Sequence, residues 1–181
     1  MSNWIKAGLV FVFAFSLIGN ACSQTKKTKN TAVTEKTAAV VTPKKVDSSE
    51  TKRNKLIGEA EKLIGVRYCP ASSSPQSGFD CSGFVWYVFQ KIGMEVPRSS
   101  SAFANVGREV KLENAKPGDI IVFTGTTNYN KSRPGHVGIV YKTGNPLQFI
   151  HSTSGKAYGV TITPLEKNYI KRFIKVVRVI N

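Results

Sequence analysis

Three side chains in this sequence could act together in nucleophilic catalysis: one cysteine and the only two histidines of the chain. Cys81 follows Asp80 at a predicted transition from loop to helix, where free backbone amides and the helix dipole favour a thiolate over a thiol. His136 and His151 each lie in a short apolar run that is typical of a β-strand. On adjacent antiparallel strands the two rings could share one face, which is the arrangement a thiol nucleophile needs: a base, and a polar group that orients the base.

Structural roles for the same residues are the alternative interpretation. A free cysteine is often a buried core residue, and a single histidine in a strand is more often structural than catalytic. The sequence has only these two histidines, and both lie on predicted strands. This placement favours the catalytic interpretation. Two histidines without clustered carboxylates make a poor zinc site, so we expect no metal and no cofactor.

Helices precede strands in the part of the chain that must position these residues. An amphipathic helix is predicted over Lys52–Ile64, a second begins near Ser82 and stops at Gly93, and a short third is expected at Ser99–Val106. This order indicates an α+β domain with N-terminal helices packed on a central antiparallel β-sheet of about five strands. The predicted strands are Asp119–Phe123, His136–Tyr141, Leu147–Ser152, Val160–Thr163 and Phe173–Ile180.

Residues 1–21 are typical of a secretory signal peptide. The apolar run from Ala7 to Ile18 would span about 18 Å as a helix, less than the ~30 Å hydrocarbon core of a membrane. Cys22 resembles the cysteine of a bacterial lipobox, although Gly19 stands where leucine is commoner. An ordinary cleaved signal with a chance cysteine is the alternative. We predict export and a lipid anchor on Cys22, at the periplasmic or cell-surface face of a bacterial membrane.

Residues 22–52 are predicted to form a flexible basic tether. Residues 23–52 contain seven Thr, seven Lys and no aromatic side chain. Such a segment buries too little apolar surface to offset the entropy lost on ordering. Residues 53–181 then form the predicted folded domain.

The charge of the chain favours an anionic partner. The sequence has 26 Lys and Arg against 11 Asp and Glu, a net charge of +15, and residues 53–181 keep 18 against 8, a net charge of +10. A content of 41% hydrophobic residues excludes global disorder, and only three cysteines exclude a disulfide scaffold. Nucleic acid is one anionic candidate, but no nucleic-acid-binding motif is present and predicted export argues against it. We expect a monomer that does not bind nucleic acid.

Four sequence blocks follow one another in a distinctive order: FDCSGFV at 79–85, VPRSS at 96–100, KPGDIIVF at 116–123 and GHVGI at 135–139. Together they resemble the NlpC family of papain-like cell-wall peptidases, and the resemblance covers about residues 53–180. It implies a circularly permuted papain-like fold in which the cysteine precedes its histidine. It also implies peptidoglycan stem peptides as the partner, cut usually between D-γ-glutamyl and a diamino acid.

The resemblance assigns catalytic roles to three positions. Cys81 is similar to the family nucleophile, His136 to the general base and His151 to the residue that orients the base. Tyr68 matches a tyrosine that helps to shape the oxyanion and substrate site, and Asp80 matches an acidic residue that contacts the peptide amine in relatives. The residues that the resemblance places along the cleft are Ser82, Arg98, Ser99 and Ser100.

The sequence departs from the family pattern directly after Tyr68. Relatives usually carry an aromatic residue and a Gly-Gly pair there, whereas this chain reads Cys69-Pro70-Ala71. Proline has no amide hydrogen and lacks the freedom of glycine, so the loop over the substrate is expected to differ. Cys69 is interpreted as buried and inert, with redox regulation as the alternative. The segment Thr124–Pro134 is long for its position and is a candidate lip of the site.

Two further functions stay open at this point. A non-catalytic wall-binding lipoprotein of the same fold would be consistent with the altered loop. An amidase or acyltransferase acting on another amide would use the same three catalytic residues.

Overall fold

The computed structural model describes residues 48–126 and 133–181, with three α-helices and eight strands in these ranges. The predicted signal peptide, Cys22 and most of the predicted tether lie outside the described residues. The helices are α1 (Ser48–Glu61), α2 (Cys81–Lys91) and α3 (Lys167–Arg172). The strands are β1 (Ser73–Ser74), β2 (Gly78–Phe79), β3 (Arg108–Val110), β4 (Ile120–Thr124), β5 (Pro134–Lys142), β6 (Gln148–Thr153), β7 (Gly159–Pro164) and β8 (Phe173–Arg178).

A six-stranded antiparallel sheet forms the centre of the described fold, in the order β3-β8-β4-β5-β6-β7. The α+β class and the five predicted strands are confirmed, with strand ends displaced by no more than two residues. The sixth strand, β3, was not predicted because three residues are too few to display an alternating pattern. The same reason applies to the two-residue strands β1 and β2, which pair as a small ribbon.

Helix α1 is displaced toward the N-terminus relative to its predicted bounds. It begins at Ser48, within the last residues of the predicted tether, and it ends at Glu61 rather than Ile64. The end is early because the amide of Ile64 bonds to the carbonyl of Glu61, three residues back rather than the four of an α-helix, and Gly65 then adopts a φ of +85°. Leu56 and Ala60 are fully buried, as the apolar stripe predicts.

Helix α2 presents a longer apolar face, and its stop signal is confirmed. The glycine predicted to end it, Gly93, has a φ of +71° and its amide donates to the carbonyl of Gln90. The predicted third helix is a 3₁₀ turn over Ala102–Asn105. No helix within the described ranges is both long enough and apolar enough to span a lipid bilayer. The fully buried side chains of α2 are Phe84, Val85, Val88 and Phe89.

The two faces of the sheet carry separate apolar clusters, because side chains alternate along each strand. Helices α1 and α2 cover the face that includes Val122 and Ile139. The opposite face includes Phe123 and Phe149 and is covered partly by Tyr169. His136 and His151 lie on this second face, beside its aromatic side chains.

A buried ion cluster joins α1, β4 and β8. Asp119 is fully buried and accepts from Arg53 Nη1 at 3.0 Å and from Arg178 Nη2 at 2.7 Å. Arg53 also donates to the carbonyls of Pro117 and Ile180. A single carboxylate therefore serves as the shared counter-charge of two buried guanidinium groups and fixes both ends of the domain to its central strand.

Replacing Asp119 with alanine should lower the free energy of unfolding by about 3–5 kcal/mol, because two buried cations lose their counter-charge. Urea denaturation followed by circular dichroism measures the change. The matched control is Glu109→Ala, which removes an exposed pair with Lys175 at 3.1 Å and should change stability by about 1 kcal/mol or less. Equal effects of the two substitutions would contradict the structural role of Asp119.

Candidate active site

Cys81 is the first residue of α2, and a polar cluster fixes the backbone that carries it. Asp80 caps the helix by accepting from the amide of Gly83 at 2.6 Å. Arg98 donates to both carboxylate oxygens of Asp80, at 2.7 and 3.0 Å, and to Ser82 Oγ at 3.1 Å. Ser82 Oγ in turn donates to Asp80 at 3.0 Å. Three residues predicted to contact substrate are thus bonded to one another at the start of the nucleophile's helix.

The first turn of α2 packs directly against the loop that follows Tyr68. A Cβ on Gly83 would overlap the carbonyl oxygen of Ser72, so only glycine allows this approach. The same carbonyl accepts from the amide of Asp80 at 3.0 Å. Ala71, in the segment where relatives usually carry a Gly-Gly pair, has a φ of +56°, in the region that favours glycine.

Cys69 is half-buried rather than fully buried, and its thiol is not in a disulfide. Its amide donates to the carbonyl of Phe79 at 3.1 Å. The side chain is not among those that line the cavity described below. Of the two cysteines that the structure describes, Cys81 is therefore the one at the cavity.

The two histidines form a hydrogen-bonded series across three strands. His136 Nε2 lies 2.9 Å from His151 Nδ1, and His151 Nε2 lies 2.9 Å from Thr163 Oγ1. Thr163 was not predicted, although its spacing of two residues from Thr161, which pairs with His151, places it on the same face of β7. Because Nε2 of His136 is occupied, Nδ1 is the ring nitrogen that remains for a proton from another group.

A glycine makes room for this pair of rings. Gly138 lies two residues after His136 and therefore on the same face of β5. A Cβ there would lie 2.9 Å from Phe149 Cδ2 and 3.1 Å from His151 Cβ. The glycine of the His-Val-Gly block is thus needed where His151 reaches across to His136.

Cys81 and His136 line one cavity of about 270 Å³. Tyr68 also lines it, whereas His151 lies behind His136 and the cluster of Asp80, Ser82 and Arg98 lies outside its wall. Ser99 and Ser100 are not part of the wall either. The sequence did not indicate Tyr169 and Arg172, which enter from α3. The remaining lining residues are Gly125, Thr126, Gly135, Thr153 and Ser154, and residues 127–132 of the candidate lip lie outside the described ranges.

Burial raises the pKa of the Cys81 thiol, which is opposite to the effect expected at a helix start. The backbone amide of Val137 has the largest opposing effect and lowers the pKa, and that amide directly follows His136 in the chain. The negative charge of Asp80 acts with burial to raise it. In the described part of the chain the thiol makes no hydrogen bond to either histidine. Burial therefore favours the neutral thiol over the thiolate at Cys81.

Both histidines are neutral at neutral pH. Burial lowers the pKa of His136 well below its usual range, with smaller effects from His151 and Arg172. Burial, followed by the charge of Arg172, lowers the pKa of His151 to about 3. With Nε2 carrying the ring proton, a neutral His136 has an unshared electron pair on Nδ1 and can accept a proton, which is the requirement for a general base.

Tyr68 offers a hydrogen-bond donor beside the nucleophile. Burial raises the pKa of its hydroxyl, and the neighbouring Cys81 and Asp80 raise it further. The hydroxyl thus keeps its proton at neutral pH. Its ring packs against Tyr158, with ring centroids 5.9 Å apart.

Alkylation of Cys81 should accelerate continuously from about pH 6 to about pH 9, because only the thiolate reacts and burial holds the thiol protonated. Mass spectrometry of the peptide that carries Cys81, after timed exposure to iodoacetamide, gives the rate at each pH. The unfolded protein is the control, and its Cys81 should react faster than the native residue at neutral pH. A native rate that does not change across this range would indicate a preformed thiolate–imidazolium pair instead.

Among the described residues, no group of three or more His, Cys, Asp or Glu side chains is placed to hold a metal ion. The chemistry that the cavity offers is that of its own side chains: a thiol, a neutral imidazole and a phenol.

Comparison with known proteins identifies a family and several similar proteins. The sequence model of the NlpC/P60 family matches residues 65–179. A gamma-DL-glutamyl hydrolase of Bacillus subtilis is 40% identical over 117 residues, which are 64% of this chain and 26% of that protein. A probable endopeptidase, an NlpC homolog of Haemophilus influenzae, is 34% identical over 110 residues, which are 60% of this chain and 52% of that protein.

The fold of this chain also occurs among solved structures. An NlpC/P60 family protein from Bacillus cereus superposes with a TM-score of 0.64 and 29% identity, over 71% of this chain and 40% of that one. The chain spans 26% to 52% of the length of the two curated relatives described above.

Proposed function

The chain belongs to the NlpC/P60 family, and on that premise we propose that it is an exported, lipid-anchored cysteine peptidase that hydrolyses amide bonds in peptidoglycan stem peptides. The bond cut is the one between D-γ-glutamyl and a diamino acid. One observation carries the proposal: Cys81 and a neutral His136 face the same cavity, and His151 holds the far nitrogen of His136 at 2.9 Å.

The reaction begins with proton transfer and attack. His136 Nδ1 takes the proton of the Cys81 thiol while the sulfur attacks the peptide carbonyl carbon. The carbonyl π electrons move to oxygen, and the tetrahedral oxyanion forms. Since thiol and imidazole are both neutral at rest, proton transfer accompanies the attack rather than preceding it.

Collapse of the oxyanion breaks the C–N bond and leaves a thioester on Cys81. His136 gives its proton to the departing amine and then removes a proton from water, whose oxygen attacks the thioester. The carbon–sulfur bond breaks, the thiol regains its proton and a carboxylic acid is released. Each step uses only Cys81, His136, substrate and water.

The oxyanion is stabilised at the start of α2. The backbone amide of Cys81 is one donor, because the first amides of a helix have no partner within it. The Tyr68 hydroxyl is the second, since it remains protonated beside the sulfur. Loss of one such donor costs roughly 2.7–4 kcal/mol in comparable sites.

The relatives support the substrate class. One is named a gamma-DL-glutamyl hydrolase, another a bifunctional muramidase/DL-endopeptidase of Bacillus subtilis. The net charge of +10 on residues 53–181 suits an anionic wall polymer.

Incubation of the purified protein with a defined stem peptide, L-Ala-D-γ-Glu linked to a diamino acid, tests the proposal. Mass spectrometry of the products locates the cut bond, and we expect it after the γ-carbonyl of D-Glu. The same peptide carrying an α-linked glutamyl residue is the control and should stay intact. Intact stem peptide after prolonged incubation, with folded protein, would overturn the peptidase assignment in favour of a wall-binding role.

The anchor is tested separately on protein taken from bacterial membranes. The mature N-terminal peptide should begin at Cys22 and carry the mass of acyl chains. An unmodified Cys22, or a different first residue, would overturn the lipid anchor and leave the peptidase proposal untouched.

A further inference from the structure

Arg172 is a buried cation on the wall of the active-site cavity. It retains 8% of its accessible surface and lines the cavity with Cys81 and His136. Its Nη2 and Nε donate to the carbonyl of Thr124, at 2.7 and 3.2 Å. Its guanidinium carbon lies 5.4 Å from the ring centroid of Tyr169. These contacts hold the group in one orientation without neutralising it.

No carboxylate within residues 48–126 and 133–181 pairs with Arg172. The other two buried arginines, Arg53 and Arg178, share Asp119 as their counter-charge. Nη1 of Arg172 makes no hydrogen bond to a described residue. Burying a cation without a counter-charge is costly, and the described residues supply none for Arg172, so this guanidinium is suited to an anion that arrives from the cavity.

The position of Arg172 relative to the histidines limits where that anion binds. The charge of Arg172 lowers the pKa of both His136 and His151, so the group is close enough to act on the catalytic rings. His136 must reach the amine that leaves, and hence the residues next to the scissile bond lie against the same wall. A bound anion would also offset the positive charge that disfavours protonation of His136 in the transition state.

We propose that Arg172 binds a carboxylate of the substrate that lies beside the scissile amide. This rests on the proposed function, because γ-linked glutamyl peptides supply such a group in two places. The α-carboxylate of the glutamyl residue is free when the γ-carboxyl forms the peptide bond. The diamino acid carries the second when it is the last residue. A planar guanidinium whose Nη1 bonds to no described residue matches a carboxylate in charge and in hydrogen-bond geometry.

Three peptides distinguish the two sources. The first carries both carboxylates, the second has the glutamyl α-carboxylate replaced by a carboxamide, and the third has the terminal carboxylate so replaced. Wild-type kcat/KM should fall about 10- to 100-fold for one of the two carboxamides, since a charged hydrogen bond contributes about 1.5–3 kcal/mol. The carboxamide peptide with the lower kcat/KM identifies the carboxylate that Arg172 binds.

Arg172→Gln is the matching enzyme variant, and Lys171→Gln is its control. Lys171 is exposed on the same helix and lies outside the cavity wall, so its loss changes the net charge equally. Arg172→Gln should cut the parent peptide about 10- to 100-fold more slowly and should no longer distinguish it from the carboxamide. Lys171→Gln should discriminate as the wild type does.

The wild-type comparison alone decides the proposal even if Arg172→Gln fails to fold. Equal wild-type rates on all three peptides would overturn the carboxylate site and leave the peptidase function in place. Unchanged discrimination by a folded Arg172→Gln would also overturn it. No cleavage of any peptide would overturn the proposed function, and this site with it.

Discussion

Replacing Cys81 with alanine should reduce hydrolysis of a defined stem peptide to the rate seen in buffer. The sulfur is the only nucleophile in the proposed mechanism, and no other cysteine of the described residues lines the cavity. In a comparable triad, loss of the nucleophile lowers kcat by roughly 10⁶-fold. Product release from the peptide, measured by mass spectrometry over hours, gives the residual rate.

Cys81→Ser is the sharper variant because it preserves shape and hydrogen bonding. A hydroxyl is far less acidic than a thiol, and the pKa of His136 is already lowered by burial. We therefore expect the serine enzyme to be almost as inactive as the alanine enzyme, while still binding substrate. A Cys81→Ser variant that binds substrate without turning it over would be suitable for trapping the enzyme–substrate complex.

Cys69→Ser is the matched control for both variants. Cys69 is half-buried, lies outside the cavity wall and has no disulfide partner, so its substitution should leave turnover close to wild type. If Cys69→Ser were inactive and Cys81→Ala active, the nucleophile would be assigned to the wrong cysteine. If both variants kept wild-type rates, the protein would not be a cysteine peptidase.

Long elements with a regular apolar pattern were predictable from the sequence. The stripe from Phe84 to Phe89 predicts α2, and Gly93 predicts its end, because each depends on local spacing alone. Short elements were not predictable. The sequence of α3, Lys167–Arg172, has no sustained apolar period, and β3 has three residues, so neither has a local signal.

The candidate site was predictable where the chain itself supplies a motif. Cys81 and His136 belong to sequence blocks that resemble the NlpC family. His151 lies on the same face of the sheet as His136, to which it bonds. Tyr169 and Arg172 reach the cavity from a helix that is distant in sequence from both blocks, so only tertiary structure reveals them. The direction of the Cys81 pKa shift was also missed, because a helix-start argument contains no information about burial.

His136→Ala should lower kcat by a factor of about 10⁴ or more, since the thiol would lose the base that takes its proton and the acid that protonates the amine. The hydrogen bonds from His136 to His151 and from His151 to Thr163 explain why His136, rather than His151, is expected to be the general base. For His136 Nδ1 to act as a base, its Nε2–H must donate to His151 Nδ1, and His151 Nε2–H must then donate to Thr163 Oγ1.

His151→Asn is the matched comparison for His136→Ala. An asparagine oxygen can still accept from Nε2–H of His136 and hold the productive tautomer, so the loss should be smaller, about 10- to 100-fold. Added imidazole should partly restore His136→Ala, because it can occupy the space of the missing ring, and should not restore His151→Asn. The reverse order of losses, or rescue of His151→Asn alone, would make His151 the base and His136 the residue that orients it.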